Sequence, residues 1–316
     1  MIMNSVCTGR MEFSPKILVS KILNRLHRIK KHWQKKYGYW GIAIRKGNIG
    51  DILIDRDRPF TALKNGLSWW VADPFVFEYD SHVYLFAEFF SYWRLRGEIA
   101  VTEIVNGKIK RWKSIIREPF HMSYPFVFSH NDEIYMIPET NKAGVVRLYR
   151  CVSFPYKWEF LRNIADNEKW VDTTLFSHSK LLYGFTRAHN DPDEDFFLEF
   201  DNRLNLTQCN RIKKPDNEDT SYRCGGYLFK IENYYVHPCQ NETKGYGSGL
   251  VFRYLDDCSL NEVDSARIYP ESIVIDQAEE YIGIHTYSSA SGYEVIDYKG
   301  TCISYIRTFM EDIRTN

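Results

Sequence analysis

The chain has 316 residues, of which 44% are hydrophobic and 26% charged, a composition typical of a soluble globular protein with one large or two small domains. Residues 1–39 carry nine Lys or Arg against one acidic residue, Glu12, whereas the rest carries 32 Lys or Arg against 40 Asp or Glu. The body therefore has a net charge of −8, which argues against a nucleic-acid-binding protein, because phosphate contacts need Lys and Arg.

Residues 1–38 are predicted to form a basic amphipathic helical segment. Ser14-Pro15 provides a helix start and Gly38 a stop. Apolar residues recur between them at spacings of three or four, which places on one helix face Leu18, Ile22, Leu26, Ile29 and Trp33. Such a helix suits an anionic membrane surface, through residues 15–37, and it equally suits packing against the rest of the protein. Both interpretations stay open.

A repeat runs through residues 39–316. Each copy has two or three special residues, a short apolar strand, a polar turn and a second strand that opens with Tyr; the copies start near Asp73, Tyr124, Asp172, Gly225 and Glu271. Four strands every ~50 residues are typical of a propeller blade, so five copies predict an all-β, five-bladed β-propeller. A β-sandwich is the alternative. Ring closure predicts that Trp40–Arg45 joins the last blade, with Thr301–Arg307 as the competing candidate.

Polar residues concentrate where the blades should meet. In a propeller the first strands line the axis, so strand openers and the residues four positions after each repeat Tyr should crowd one mouth of the channel. These positions and their neighbours hold Asp73, Tyr124, Asp172, Arg223, Glu88, Glu139, Arg187, Gln240 and His285, flanked by Trp70 and Trp170. Convergent carboxylates among aromatic rings predict a carbohydrate pocket, since sugars stack on such rings. The alternative is that the carboxylates cap backbone N–H groups between blades.

Metals and cofactors are not expected. Asp191-Pro-Asp193-Glu-Asp195 has the spacing of oxygen ligands for a divalent cation, but a solvated acidic turn is the favoured interpretation. Seven dispersed cysteines without a C-x-x-C pair indicate reduced thiols in a cytoplasmic protein. The sequence contains no run of about 20 apolar residues, so a membrane-spanning helix is not predicted.

Several motifs together resemble a known family. They are Trp70-Val-Ala-Asp73-Pro-Phe-Val-Phe, His121-Met-Ser-Tyr124-Pro-Phe-Val-Phe, Met136-Ile-Pro-Glu139-Thr, Trp170-Val-Asp172-Thr-Thr-Leu-Phe and Gly283-Ile-His285-Thr-Tyr. This set resembles the propeller domain at the N-terminus of plant glucosamine inositolphosphorylceramide transferases, related copies of which occur in bacterial surface-polysaccharide loci. The resemblance covers about residues 40–300. In the plant enzymes the domain that resembles a nucleotide-sugar transferase is a separate one, so the resemblance implies transfer only by association.

The chain also resembles, more distantly, the five-bladed propellers of family 43 and family 32 glycoside hydrolases, which begin with Asp-Pro at the first blade. In the family 43 pattern a second Asp opens the second blade. Here Tyr124 opens the second blade and Asp172 the third. The hydrolase roles therefore do not carry over intact.

These observations predict a carbohydrate-active propeller, a glycosyl-transferring enzyme or enzyme component in bacterial surface polysaccharide biosynthesis. Asp73 is expected to act as base and Glu139 as acid, with Asp172 tuning both. Substrate-binding roles are expected for Glu88, Tyr124, Arg187, Arg223, Gln240, His285, Trp70 and Trp170. The partner would be a glycan, a nucleotide sugar or a lipid-linked glycan, with the protein cytoplasmic and peripheral on the inner face of the membrane. The alternatives are a non-catalytic glycan-binding scaffold for a partner glycosyltransferase and a glycoside hydrolase.

Overall fold

The computed structural model describes residues 36–191, 193–213, 222–278 and 281–315. The helix predicted over residues 1–38 lies outside this part of the chain, except for residues 36–38, which belong to a strand. Within the described ranges, neither α-helix has the length or the apolar character needed to cross a membrane.

The described chain begins with elements that later complete the last blade. They are β1 (Lys36–Lys46), α1 (Asp51–Ile54) and β2 (Phe60–Ala62). The first blade then follows as one sheet of β3 (Trp69–Tyr79), β4 (His82–Ser91), β5 (Arg96–Val105), β6 (Lys108–Ile109) and β7 (Lys113–Ile116). Its first three strands pair in sequence order, and both β6 and β7 pair with β5.

The next three blades are antiparallel sheets of four consecutive strands each. The second blade contains β8 (Ser123–His130), β9 (Glu133–Glu139), a 3₁₀ turn (Asn141–Ala143), β10 (Val145–Ser153) and β11 (Lys157–Asp166). The third contains β12 (Trp170–His178), β13 (Leu181–Ala188), β14 (Asp195–Phe200) and β15 (Leu206–Arg211). The fourth contains β16 (Phe229–Ile231), β17 (Tyr234–Asn241), β18 (Gly249–Asp256) and β19 (Glu262–Ile268).

The last blade joins both ends of the described chain. Its C-terminal elements are a 3₁₀ turn (Pro270–Ser272), β20 (Ile275–Asp276), β21 (Tyr287–Ala290), β22 (Tyr293–Ile303) and α2 (Tyr305–Thr315). The strand order is β21, β22, β1, β2, β20, and β1 pairs with β22 along its whole length, from Lys36 opposite Ile303 to Lys46 opposite Tyr293. The five-bladed propeller is therefore confirmed, and Trp40–Arg45 is the segment that closes it.

The predicted start of the fifth blade at Glu271 is wrong. Glu271 lies in the 3₁₀ turn, and the strand that follows it is the outermost strand of the blade, where it pairs with β2. The innermost strand is β21, and the Tyr that opens its partner strand is Tyr293 rather than Tyr281. The repeat pattern selects the wrong segment because Glu271-Ser-Ile-Val-Ile has the apolar character of the other blade openings, whereas β21 is Tyr-Ser-Ser-Ala.

Aromatic side chains fill the space between neighbouring blades. Phe75 on β3 is fully buried and packs edge-to-face against Tyr124, with ring centroids 4.8 Å apart, and against Tyr227 at 4.9 Å. Burial of one such ring contributes about 2 kcal/mol, and this packing geometry adds roughly 1 kcal/mol per pair. The high aromatic content thus serves the core as well as the channel mouth.

Candidate functional site

The first strands of three successive blades share one backbone irregularity. Asp73, Tyr124 and Asp172 have φ values of 50°, 45° and 53°, in the left-handed region that L-residues rarely adopt. Each lies where the register between the first and second strands of its blade shifts, which is the mark of a β-bulge. Strained residues of this kind collect at functional sites, because surrounding contacts must hold them in place. The repeat thus presents one side chain per blade towards the axis.

Asp73 lies in a chain of hydrogen bonds that joins three blades around the axis. Its carboxylate Oδ2 accepts the backbone N–H of Tyr124 at 3.0 Å, and its own N–H donates to Oδ2 of Asp297 at 3.2 Å. Asp297 also accepts the N–H groups of His285 and Thr286, each at 2.9 Å. Both carboxylates therefore cap backbone groups of neighbouring strands, as the alternative interpretation of the sequence expected.

His285 lies between these two carboxylates. Its Nε2 is 3.3 Å from Oδ1 of Asp73 and its Nδ1 is 2.6 Å from Oδ2 of Asp297. Burial alone would lower the pKa of His285, but Asp297 and Asp73 outweigh it and raise that pKa above the ordinary value. The indole of Trp40 stacks on the imidazole at 3.9 Å. Burial in turn raises the pKa of Asp73 to about 6, against the opposing effect of His285.

This carboxylate–imidazole–carboxylate group has the composition of a cation site. Asp73, His285 and Asp297 each offer one ligand atom, and these atoms lie within 4.8 Å of one another. The two imidazole nitrogens, however, face different carboxylates, so a cation would have to displace one of these contacts. The backbone hydrogen bonds of the two carboxylates and their close contacts with the imidazole account for the arrangement.

Glu139 and Asp172 form the second half of the site. Asp172 Oδ2 accepts hydrogen bonds from Arg223 Nε at 2.6 Å and from Gln240 Nε2 at 2.7 Å. Arg223 Nη2 also lies 3.9 Å from Glu139 Oε2. Burial raises the pKa of Glu139 well above its ordinary value, and the charge of Asp172 raises it further, against the opposing effect of Arg223. Glu139 therefore holds its proton more tightly than an exposed glutamate does, while Asp172 binds a guanidinium group.

An outer layer of charged and aromatic groups covers these carboxyls. Glu242 bridges two arginines, with Arg187 Nη1 at 2.6 Å and Arg223 Nη1 at 3.2 Å. Tyr246, which is half exposed, lies over the guanidinium of Arg223 at 5.2 Å and contacts the His285 ring edge-to-face at 5.2 Å. Side-chain exposure rises from 3% for Asp172 to 25% for Glu242, so the approach from solvent passes this layer.

Glu88 lies next to His121 and is near enough to Asp73 and Glu139 to interact with them. It is buried, and within the described residues its Oε1 has no hydrogen-bond partner, although His121 Nε2 is 3.5 Å away. Burial raises the pKa of Glu88 well above its ordinary value and lowers that of His121 to about 4, so burial disfavours the charged form of both groups. Gly97 makes room for this contact, because a Cβ there would lie 2.5 Å from Oε1 of Glu88.

The three predicted catalytic carboxyls lie near enough to interact, since the charges of Asp172 and Asp73 both add to the effect of burial in raising the pKa of Glu139. Gln240 and Arg223 join them directly, and Arg187 reaches them through Glu242. Tyr124 is fully buried, and its hydroxyl shares a hydrogen bond with Thr174 and accepts the N–H of Gly226. The substrate-binding roles of these side chains stay predictions.

Two predicted tryptophans pack inside the fold. Trp70 is 8% exposed and stacks on Phe90 at 4.6 Å, and Trp170 is 5% exposed and packs near Phe196. Neither has a described contact with the central carboxyls. Their roles as sugar platforms stay predictions.

Sequence reasoning missed four side chains of the site. They are Asp297, Glu242, Tyr246 and Asp195. Asp297 follows Tyr293 by four residues, the interval that separates Tyr84 from Glu88, so the correct repeat Tyr would have found it. Asp195 was expected in a solvated turn, but that expectation is wrong: it is fully buried and binds Arg187 Nε at 2.8 Å and Nη2 at 3.0 Å.

Solved structures with a similar fold are five-bladed glycoside hydrolases. The catalytic domain of the Coprinopsis cinerea family 62 α-L-arabinofuranosidase superposes with a TM-score of 0.55 at 11% identity, covering 81% of this chain and 97% of that one. Bacillus subtilis arabinanase Arb43A gives a TM-score of 0.52 at 10% identity, covering 72% and 93%. At these identities the likeness shows the fold alone.

The sequence comparisons identify the family of this chain, which the fold comparisons do not. A glucosamine inositolphosphorylceramide transferase 1 of Oryza sativa subsp. indica is 28% identical over 221 residues, which are 67% of this chain and 29% of the relative. The Arabidopsis thaliana protein of the same name is 35% identical over 117 residues, 36% of this chain and 15% of that one. The chain thus spans less than a third of these relatives. The family model for the N-terminal region of glucosamine inositolphosphorylceramide transferase 1 matches residues 61–265, and the chain belongs to this family.

Proposed function

We propose that this propeller holds a carbohydrate at the channel mouth and transfers a glycosyl group there. One observation carries the proposal: Glu139, whose pKa is raised well above its ordinary value, lies beside Asp172, which binds the guanidinium of Arg223 at 2.6 Å. A carboxyl that keeps its proton next to a carboxylate held by a cation is the pairing that glycosyl chemistry uses, because one group must donate a proton while another stays ionised.

The three carboxyls then have distinct roles. Glu139 donates its proton to the leaving-group oxygen as the glycosidic bond breaks. Asp73, whose pKa is raised to about 6, accepts the proton of the attacking hydroxyl as the new bond forms. Burial and, next, the charge of Asp172 raise the pKa of Glu139, and Asp172 also positions Arg223; the rate depends on Glu139 being the proton donor of the three.

The relatives support a carbohydrate substrate. The rice and Arabidopsis proteins are named glucosamine inositolphosphorylceramide transferase 1, and a protein of similar fold is an α-L-arabinofuranosidase. On this basis the proposal extends to a nucleotide sugar as donor, a glycan or lipid-linked glycan as acceptor and a role in bacterial surface polysaccharide assembly. Loss of one surface polysaccharide after deletion of the gene, with restoration by the intact gene, tests that role.

A second candidate function is glycan binding without turnover. It is favoured by the hydrogen bonds of Asp73, whose Oδ2 accepts the Tyr124 N–H and whose Oδ1 faces Thr286 and His285. A carboxylate engaged in this way stabilises the fold and has less capacity to accept a proton from a substrate. In this case the protein would present a glycan to a partner glycosyltransferase.

The deciding experiment measures binding and turnover on the same set of proteins. The full chain is incubated with nucleotide sugars and oligosaccharide acceptors, and separately with aryl glycosides in water, and products are identified by mass spectrometry. Asp73→Asn and Glu139→Gln are compared with Glu159→Gln, which changes an exposed carboxylate on β11. Product from the wild-type protein and the control, but not from the site variants, supports transfer or, for aryl glycosides, hydrolysis.

The other outcomes are also decisive. If the wild-type protein binds a glycan and forms no product, and the site variants weaken binding, the protein is a binding module. If Asp73→Asn retains full turnover, Asp73 is not the base. If the wild-type protein neither binds nor converts any sugar, the proposal fails.

A further inference from the structure

Five large apolar side chains lie exposed around one edge of the propeller. This apolar rim consists of Leu67, Trp93, Ile303, Phe309 and Ile313, with exposures from 45% for Ile303 to 91% for Leu67. Single exposed apolar residues are common on soluble proteins, but a group of them that includes Trp and Phe marks a surface that contacts a partner or a membrane.

The members of the apolar rim are neighbours in the fold. Leu67 and Ile303 line the same groove, which has a volume of about 470 Å³. The N–H of Tyr92 donates to the carbonyl of Ser68 at 2.8 Å, which brings the turn with Trp93 beside Leu67. Phe309 and Ile313 follow directly on α2 with a spacing of four, so they share one helix face.

The apolar rim lies on the same side of the propeller as the channel mouth. Strand β22 passes Asp297 in the site and then Lys299, whose Nζ is 3.4 Å from the carbonyl of Tyr246. It ends at Ile303, roughly 20 Å beyond Asp297 at 3.4 Å per residue. Ile306 on α2 packs against the cluster that contains Trp40, and Trp40 stacks on His285. The surface that carries the apolar rim and the approach to the site therefore face the same direction.

A basic segment of the sequence joins the propeller at the apolar rim. Lys36, the first residue of β1, pairs with Ile303, so residues 1–35 join the described chain beside this member of the apolar rim. Residues 1–39 carry nine Lys or Arg against one acidic residue, whereas the remainder of the chain has a net charge of −8. Basic residues next to exposed aromatic and aliphatic side chains complement an anionic lipid surface, which attracts the charges and accepts the apolar groups.

We infer that the apolar rim docks on an anionic membrane surface and holds the channel mouth at the lipid interface. The apolar side chains enter the headgroup region, and the basic residues remain among the lipid phosphates. A catalytic or binding site held in this way reaches a glycan that is attached to a lipid. The inference concerns the surface alone and does not require that the site be catalytic.

The test is co-sedimentation of the full chain with phosphatidylcholine vesicles, with and without phosphatidylglycerol. Phe309→Ser and Ile313→Ser are combined in one variant, and the control is Val263→Ser, which changes a side chain of 57% exposure on β19. We expect the wild-type protein and the control to bind the anionic vesicles. The double variant should bind at least about tenfold more weakly, because two partly inserted side chains are lost.

Added salt separates the electrostatic contribution to vesicle binding from the contribution of the apolar side chains. High salt should weaken binding of the wild-type protein by screening its charges, and the remaining binding should depend on Phe309 and Ile313. Circular dichroism and melting temperatures confirm that the double variant is folded, as exposed positions should allow.

Three results would overturn the inference. The first is a wild-type protein that does not bind anionic vesicles. The second is a double variant that binds as the wild-type protein does, which would assign any binding to the basic chain alone. The third is a dimer in analytical ultracentrifugation that the double variant breaks while vesicle binding is absent, which would assign the apolar rim to contact between two copies.

Discussion

Asp297 of the last blade accepts the backbone N–H of Asp73 of the first blade, with 3.2 Å between the amide nitrogen and Oδ2. The bond crosses the junction where the propeller closes, and the same two carboxylates hold His285 between them. Asp73 and Asp297 therefore both close the ring at its centre and set the charge around His285. A substitution at either of them should alter the stability of the protein and the pKa of His285.

The first prediction concerns Asp297→Asn. One carbonyl oxygen can still accept the N–H groups of His285 and Thr286, but the amide NH₂ would then face the N–H of Asp73, where a donor meets a donor. We expect the free energy of unfolding to fall by roughly 2–3 kcal/mol, because a buried donor loses its acceptor. Urea denaturation measures the change.

The control for this prediction is Asp264→Asn, which alters an exposed aspartate on β19 and should change the free energy of unfolding by less than about 0.5 kcal/mol. Titration of His285 by NMR adds a second measurement, since loss of the Asp297 charge should lower its pKa. Unchanged stability and an unchanged imidazole titration would show that the bond contributes little.

The second prediction concerns the pH dependence of stability. The pKa of Asp73 is about 6 in the folded protein and about 3.8 in the unfolded chain, so the folded state binds the proton more tightly. The tighter proton binding contributes to the free energy of unfolding. This contribution is fully present below about pH 4 and is lost as the pH rises through about 6. Asp73→Asn should remove this decline, and urea denaturation between pH 4 and 8 should give a flatter curve than for the wild-type protein.

Asp264→Asn serves as the matched control here too and should keep the wild-type slope, because it removes an exposed carboxylate. A slope for Asp73→Asn that equals the wild-type slope would mean that other buried acids, such as Glu88, dominate the titration.

The propeller could be predicted from the sequence because each blade repeats a local pattern. The Asp73, Tyr124 and Asp172 segments each combine a bulge residue, an apolar strand and a following Tyr, and hydrophobic alternation is a local property of the chain. The closing strand could be predicted because a propeller ring closes by pairing a strand from one end of the repeat region with the blade formed at the other end. Its 11-residue pairing with β22 required only that the ring be complete.

The fifth blade was misplaced because its repeat is shorter and lacks the bulge. The pairing of Tyr287 with Ile296 continues to Ala290 without a register shift. This strand therefore has no bulge residue of the kind that marks the first strands of the first three blades. His285 was selected at the interval from the wrong Tyr, Tyr281, yet it does lie in the site. Asp297 was missed for the same reason, although it belongs to the interval from Tyr293.

The outer layer of the site could not be predicted because its ion pairs join residues that are far apart in sequence. Glu242 reaches Arg187 across 55 positions, and nothing in the local pattern of either residue encodes the pairing. Asp195 escapes prediction for a different reason. It lies only 8 positions from Arg187, but an acidic turn is usually solvent-exposed, and the pairing of β13 with β14 is needed to bring the two side chains together.

The third prediction concerns Gly226, where the fourth and fifth blades meet. Its φ is 138°, and a Cβ at this position would lie 1.8 Å from the carbonyl oxygen of Tyr287, a backbone atom that cannot move without shifting β21. Gly226→Ala should therefore cost more than about 4 kcal/mol or prevent folding. The melting temperature and the yield of soluble protein measure the effect.

Gly107→Ala is the matched control, because Gly107 also has a positive φ, 76°, but no atom within 4 Å of the added Cβ. It should cost only about 1 kcal/mol, the penalty of the left-handed conformation alone. Equal effects of the two substitutions would show that the close approach to Tyr287 is relieved by local adjustment.

The last prediction concerns the proton of Glu139 and applies once a converted substrate is identified. A general acid must be protonated, and because the pKa of Glu139 is raised, the rate should stay high through neutral pH and fall as the pH rises through that pKa. Glu139→Gln should lower kcat by about 10²–10⁴ and remove this alkaline fall. The pH–rate profile of both proteins checks the assignment.

The leaving group of the substrate distinguishes proton donation by Glu139 from a purely structural role of its carboxyl. A substrate whose leaving group is a weak base needs no proton from the enzyme, so Glu139→Gln should retain nearly the wild-type rate of bond cleavage on such a substrate and lose it on an ordinary glycan. Glu159→Gln, on the surface of β11, should behave as the wild-type protein on both. If Glu139→Gln slows both substrates equally, the carboxyl maintains the geometry of Asp172 and Arg223 instead of donating the proton.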